Sequence, residues 1–333
     1  MTTIKTAVKH NKEIILLAKK VTKKFPVGKG KVLTAVNDAT IRLFKGETLA
    51  IVGESGCGKS TLVKCIMRLH NVTDGSIIYD GKDLTKLEGE ELRQTRQHIQ
   101  MVFQDPTTAF DPKMKIRDII CEPLYNFNMI EKKDADAKAR EMLRLVKLPE
   151  DVVDRFPANM SGGQRQRIGI ARALAMNPDI LVCDEATSAL DVSVQKQIVD
   201  LLLGIQKKTN LSIIFICHDL ALVYQMCHRA IVMYLGNVVE KIPAGNLKQA
   251  KHPYTKALLK SVFPLVPKGE GSVSTLEGEI PSPLDLPVGC PFQDRCPECM
   301  DHGCRETMPE MRRVGKEHFV ACHLYDDVPE SQE

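Results

Sequence analysis

Residues 49–62 read LAIVGESGCGKSTL: an apolar run, a glycine-rich turn and the start of a helix-period pattern. No other stretch restricts the fold as much, because Gly53, Gly58, Lys59 and Ser60 match the spacing G-x-x-x-x-G-K-[ST]. Glycines at these places let backbone N–H groups wrap an anion without side chains in the way. The following helix points its positive end at the same anion. Lys59 is expected to reach the β- and γ-phosphates of a nucleotide and Ser60 to ligate Mg²⁺. Glu54, Ser55, Gly56, Cys57 and Thr61 complete the cradle. Cys57 lies at a helix N-terminus, a setting that lowers a thiol's pKa; alternatively it fills a tolerated position with no role.

Two further apolar runs end in polar groups. In DILVCDE (179–185), four consecutive apolar residues suit a parallel strand buried on both faces. Asp184 at its carboxyl end is expected to hold Mg²⁺ through water, and Glu185 to polarise the attacking water. An acidic pair with no phosphate loop upstream would be read as merely solvated. LSIIFICHDL (211–220) repeats the pattern and carries His218 where a parallel sheet places its ligand groups. A γ-phosphate sensor is favoured there over a satisfied core histidine.

Between these runs lies MSGGQRQRIGIARALAMNPDILVCDEATSALD (160–191), and upstream VFQDP (102–106). Taken in order, these motifs resemble those of ATP-binding cassette (ABC) ATPases. The resemblance implies an α/β, RecA-like P-loop nucleotide-binding domain with an antiparallel β region and a helical subdomain over about residues 105–175 that faces a membrane permease. It implies Gln104 as the Q-loop residue, near both Mg²⁺ and the chemistry. Ser161, Gly162, Gly163 and Gln164 form the signature, and Ser188, Ala189, Leu190 and Asp191 the D-loop. Glu185, His218 and Gln104 would act catalytically. The signature opens a second anion-binding helix N-terminus; in the family it covers ATP on the partner of a head-to-tail dimer. Phe25 in VTKKFPV lies where the family stacks an aromatic on adenine, or is a strand phenylalanine. Met160 and Ala186 replace the usual leucine and proline, and neither removes a group the chemistry needs.

The rest of the chain narrows the class. Net charge is only +4, with no basic block, so nucleic acid is not an expected partner. ABC ATPases of DNA repair, chromosomes and translation carry paired cassettes, coiled coils or large insertions, none of which is visible. The apolar residues 211–235 are broken by His218, Asp219, His228 and Arg229, so they make no comfortable membrane span. The first 20 residues hold only a five-residue apolar run between lysines, too short for a secretory leader. A reducing compartment is therefore expected, where stable disulfides are rare.

Residues 252–267 (HPYTKALLKSVFPLVP) and 276–296 (LEGEIPSPLDLPVGCPFQDRC) resemble the tail of the oligopeptide/dipeptide importer ATPases, of the second-subunit type. That divides the chain into 1–250, the ABC domain, and 251–333, a small cysteine-rich C-terminal domain. It implies ATP hydrolysis that powers peptide import at the cytoplasmic membrane face. The implied partners are a homologous ATPase subunit, two transmembrane permease subunits and an extracytoplasmic solute-binding protein. Importers of nickel or oligosaccharides share much of this cassette.

Five of the 11 cysteines lie in the tail. The family pattern maps onto Cys290, Cys296, Cys304 and Cys322, on which some members hold a [4Fe–4S] cluster. The extra Cys299 is an alternative third ligand, although the segment CRETMPEM that follows favours Cys304. Zn²⁺ is the rival, with His302, His318 and His323 as further donors; free thiols are the third reading. Either metal would first of all staple a tail poor in apolar runs.

Overall fold

The computed structural model describes residues 13–28, 30–188, 190–262 and 281–328. Ala189 of the expected D-loop lies outside them. The chain forms two compact units: one from Met1–Phe44, Thr48–Lys86 and Cys217–Glu333 as far as these are described, the other from Lys45–Glu47 and Leu87–Ile216.

The first unit begins with two 13-residue strands, β1 (Ile14–Pro26) and β2 (Val32–Phe44), paired antiparallel with Ala18 opposite Ile41. Their apolar residues alternate, so Leu16, Ala18, Ile41 and Leu43 are buried while the intervening residues are more open. β3 (Thr48–Val52) is buried at all five residues and leads through the glycine loop into α1 (Lys59–Ile66). β4 (Asp74–Tyr79) and β5 (Lys82–Asp83) extend the first sheet to the order β2-β1-β4-β5.

The second unit opens with α2 (Gly89–Arg96) and β6 (Ile99–Val102). Helices α3 (Ile116–Asn126), α4 (Ala135–Leu145) and α5 (Gly162–Ala175) pack on one another, and their Ile119, Ile120, Ala139, Leu143, Ile168 and Ala171 are all buried. Arg172 ties α5 to α3 by an ion pair with Glu122 at 2.7 Å. β7 (Ile180–Asp184), α6 (Val192–Thr209) and β8 (Ser212–Ile216) follow. Strands run β8-β7-β6, all parallel, with Ile180 opposite both Ser212 and Ile99. The apolar runs read as two-face-buried strands are that: every residue of β7 and β8 is buried.

The chain then re-enters the first unit with α7 (Leu220–Met226), β9 (Arg229–Tyr234), β10 (Asn237–Pro243), α8 (Pro253–Val262), β11 (Met311–Gly315) and β12 (His318–Ala321). Its strands lie in the order β11-β12-β10-β9-β3, parallel only between β9 and β3. β9 and β10 are joined by Leu235 and Gly236, both at positive φ (43° and 82°), as a tight hairpin requires.

Residues on both sides of position 250 belong to the first unit as far as they are described. The tail joins the first unit: β12 pairs with β10 (Glu240 opposite Val320), and Phe292 is buried against Tyr234 and Tyr254 at ring separations of 5.2 and 5.4 Å. The described residues of the tail are poor in apolar runs and pack on the core of the first unit.

Candidate functional site

In the first unit the phosphate loop is shaped by close backbone approach. A side chain at Gly53 would meet the Met233 carbonyl at 2.2 Å, and one at Gly58 the Ala35 carbonyl at 2.2 Å; both also sit at positive φ (151° and 104°). The β9–β10 hairpin grips the loop, with Gly236 N–H donating to Cys57 O at 2.9 Å. Lys59 is buried, and its ammonium donates to Gly53 O (2.8 Å) and Glu54 O (2.9 Å). His218 Nδ1 lies 3.1 Å from Gly53 O. Ser55 and Gly56 are exposed at the tip, while Ser60 and Thr61 are half-buried in the first turn of α1.

Cys57 departs from expectation. Its thiol is 3% exposed, and burial pushes its pKa up although Lys59, 3.8 Å away, pulls it down. Desolvation outweighs the cation and the helix end. Phe25 lies half-buried in β1; its ring takes the edge of His70 (5.5 Å) on one contact and the Lys23 ammonium (4.7 Å) on another.

The second unit gathers the carboxylates. Asp184 ends β7 and is buried. Glu185 follows at φ 47°, a left-handed conformation uncommon outside glycine. It is held there by its N–H on Ile216 O (3.1 Å) and by Ser188, whose N–H (3.0 Å) and hydroxyl (2.9 Å) both donate to Glu185 O. Gln104 Nε2 donates to Glu185 Oε2 at 2.8 Å.

The signature forms a capping box: Gln164 N–H donates to Ser161 Oγ (3.3 Å) and Ser161 N–H to Gln164 Oε1 (2.9 Å). Asp191 caps α6, accepting from the N–H groups of Ser193 and Val194. A Cβ at Gly162 would stand 3.8 Å from Leu190, so signature and D-loop adjoin. Met160 and Ala186 are buried, so both departures from the family pattern are filled core positions.

In the tail, Cys290, Cys304 and Cys322 are buried and Cys296 and Cys299 half-buried. Burial pushes the Cys290 thiol up to about 12, and Cys304, Cys322 and Cys296 raise it further. Cys322 is pushed up to about 11, with Cys296 and Cys304 contributing. The thiols thus lie close enough to raise one another's pKa. Among the described residues, however, no three His, Cys, Asp or Glu side chains close into a coordination shell. The three histidines are engaged elsewhere: His318 with Glu240 (2.7 Å), His323 with Asp326 and Thr307 O, and His302 with Glu306.

Two residues that touch the phosphate loop were missed in the sequence: Tyr254, whose hydroxyl accepts from Glu54 N–H, and Arg295, paired with the Glu54 carboxylate. Neither sits in a phosphate-binding motif, and they lie 200 and 241 residues from Glu54 in the sequence.

Comparison with known proteins gives the family. Residues 36–188 match the ABC transporter family and residues 239–304 the oligopeptide/dipeptide transporter C-terminal region. The oligopeptide transport ATP-binding protein AppF of Bacillus subtilis is 45% identical over 327 residues, covering 95% of this chain and 98% of that protein. The chain belongs to the ATP-binding proteins of the oligopeptide/dipeptide ABC transporters. OppF of Haemophilus influenzae, another member, is 43% identical over 95% of this chain and 98% of its own length. Among solved structures, a dimeric ATP-binding cassette in a post-hydrolysis state with ADP and Pi matches with TM-score 0.63 at 28% identity, covering 69% of this chain and 98% of that one. As an ABC ATP-binding protein, the chain is an ATPase with the P-loop fold and mixed α/β sheets. Among its described residues no helix is long and apolar enough to cross a membrane.

Proposed function

We propose that this ATPase powers import of di- or oligopeptides as a peripheral subunit at the cytoplasmic membrane face. One observation carries the reading: 45% identity to an oligopeptide transport ATP-binding protein over 95% of the chain, tail included. Its partners are two transmembrane permease subunits, an extracytoplasmic solute-binding protein and a homologous ATPase, with which it forms a heterodimer.

Lys59 and the loop N–H groups hold the β- and γ-phosphates. Ser60 and Gln104, with Asp184 through water, would hold Mg²⁺, which neutralises charge on the phosphate oxygens. Glu185 accepts the proton of the attacking water, and Gln104 orients it through the 2.8 Å hydrogen bond. His218, anchored to Gly53 O, senses the γ-phosphate. Ser161, Gly162, Gly163 and Gln164, flanked by the D-loop, cover ATP on the partner cassette. ATP binding closes the dimer and drives the permease; hydrolysis reopens it.

The assembled complex in vesicles tests this. ATPase activity should rise several-fold when peptide-loaded binding protein is added. Stimulation by nickel or an oligosaccharide and not by peptide would assign another solute.

For the tail, the proposal is a [4Fe–4S] cluster on Cys290, Cys296, Cys304 and Cys322, with Cys299 as the alternative to Cys304 and Zn²⁺ as the rival occupant. Its support is four mutually interacting thiols and histidines engaged elsewhere. No step of hydrolysis runs through it. Anaerobic purification should yield about four irons and four sulfides per chain; one zinc without iron would replace the cluster.

A further inference from the structure

Glu54 is the second residue of the phosphate loop, and three separate holds meet on it within the first unit. Its backbone N–H donates to Tyr254 Oη at 2.7 Å. Its carbonyl accepts from Lys59 Nζ at 2.9 Å. Its carboxylate takes both arms of Arg295, Nη1 to Oε2 at 2.8 Å and Nη2 to Oε1 at 3.0 Å. A two-pronged pair of this kind fixes direction as well as distance.

The environment makes that pair a strong constraint. The Arg295 side chain is 4% exposed and that of Glu54 21%, so water screens little at the arginine end. Nη1 also donates to Tyr234 Oη at 3.3 Å, and Nε is buried without a hydrogen-bond partner. The charge-bearing arms of the guanidinium are therefore committed to Glu54 and Tyr234. Arg295 in turn is anchored by a buried aromatic cluster: Tyr234 and Tyr254 lie 4.7 Å apart, and Phe292, three residues before Arg295, packs on both. Helix α8, strand β9 and the tail thus converge on one residue of the loop.

We infer that Arg295 is a positioning residue for nucleotide binding: through Glu54 it fixes the phosphate loop, and with it Lys59, in the shape that accepts the phosphates. Two physical effects act together. The ion pair neutralises a carboxylate that would otherwise repel the nucleotide's anionic chain and compete for the Lys59 ammonium. It also removes conformational freedom that the loop would lose on binding. Glu54 is the relay, so moving Arg295 moves the carbonyl that orients Lys59. The inference rests on residues 53–61 being the phosphate site.

The test is titration of the full-length chain with a fluorescent ATP analogue and Mg²⁺, alongside steady-state ATPase kinetics. Lys59→Ala is the control for the phosphate site and should abolish binding; retained binding would remove that site, whatever Arg295 does. Arg295→Gln should raise Kd and KM about tenfold and leave kcat within about twofold. Arg295→Lys, which keeps the charge but loses the fork, should recover part of the affinity. In the Glu54→Ala background Arg295→Gln should have no further effect, because its relay is gone. Where Arg295→Gln does not fold, Glu54→Ala reads the same pair from its more exposed end and should weaken binding severalfold. Wild-type affinity in Glu54→Ala and Arg295→Gln, or an equal loss from Arg295→Gln with and without Glu54, would overturn the inference.

Discussion

Glu185 is where chemistry and backbone conformation meet. It sits at φ 47° because Ser188 and Ile216 hold its backbone there, and its carboxylate takes a hydrogen bond from Gln104. Glu185→Gln keeps the side chain's shape but cannot accept a proton. It should bind ATP with near-wild-type Kd and lose turnover by at least about 100-fold; unchanged steady-state hydrolysis would remove Glu185 as the base. Cys57 carries the opposite lesson. A helix N-terminus in the sequence suggested a reactive thiol, but burial decides its pKa. Iodoacetamide at pH 7.5 should therefore modify Cys57 much more slowly than the half-buried Cys299, as peptide mapping by mass spectrometry would show. The glycine turn, the acidic strand end and the capping box of the signature were legible because each is set by a short, contiguous pattern. Arg295 and Tyr254 were not, because their role arises only when the chain returns to the loop after 200 residues.

At the scale of elements, legibility followed burial. β3, β7 and β8 were readable because each is buried at every residue and leaves an uninterrupted apolar run. β11 and β12 were not, since five and four residues with mixed burial have no periodicity to detect; β12 takes its pairing from β10 and β11 from β12. α5 begins where Ser161 and Gln164 cap each other, so the signature is a helix start whatever it covers on a partner. Ser161→Ala should cost about 1 kcal/mol of stability, measurable by urea unfolding, besides any effect on hydrolysis. Gly163 contributes differently: a Cβ there would stand 2.5 Å from Val194 Cγ1 of α6. Gly163→Ala should lower the Tm by a few degrees, roughly the effect of 1 kcal/mol in a domain of this size, and Val194→Ala should restore it.

Across the molecule, a buried polar knot joins the tail to the core. Glu240 is fully buried and accepts from Lys251 N–H, His252 N–H and His318 Nε2. His252 accepts from Tyr254 N–H at Nδ1, and burial lowers its pKa from the ordinary 6.5 to about 4, with Glu240 opposing and Lys256 assisting. The imidazole is therefore neutral in the fold, whereas the unfolded chain binds a proton below about pH 6.5. Stability from this group is present above pH 6.5 and drains as pH falls toward 4. By pH 5 the loss is of order 2 kcal/mol. His252→Asn, whose side-chain oxygen can still accept from Tyr254, should shrink the difference in unfolding midpoint between pH 7 and pH 5.

The first unit is also discontinuous: its opening strands and phosphate loop fall in one unit with residues 217–262 and 281–328. A ribosome that has made residues 13–86 must add more than 200 others before β9, β10, Tyr254 and Arg295 exist to grip that loop. At synthesis rates of about 5–20 residues per second this is a wait of tens of seconds. Half-made chains would thus carry the ATP motif before they can use it. Chains stalled on the ribosome after residue 262 should leave β1 and β2 open to protease, whereas released full-length chains should protect them. On the inference drawn for Arg295, a growing chain cannot hold its phosphate loop in the ATP-binding shape until it has passed that residue, late in its own synthesis.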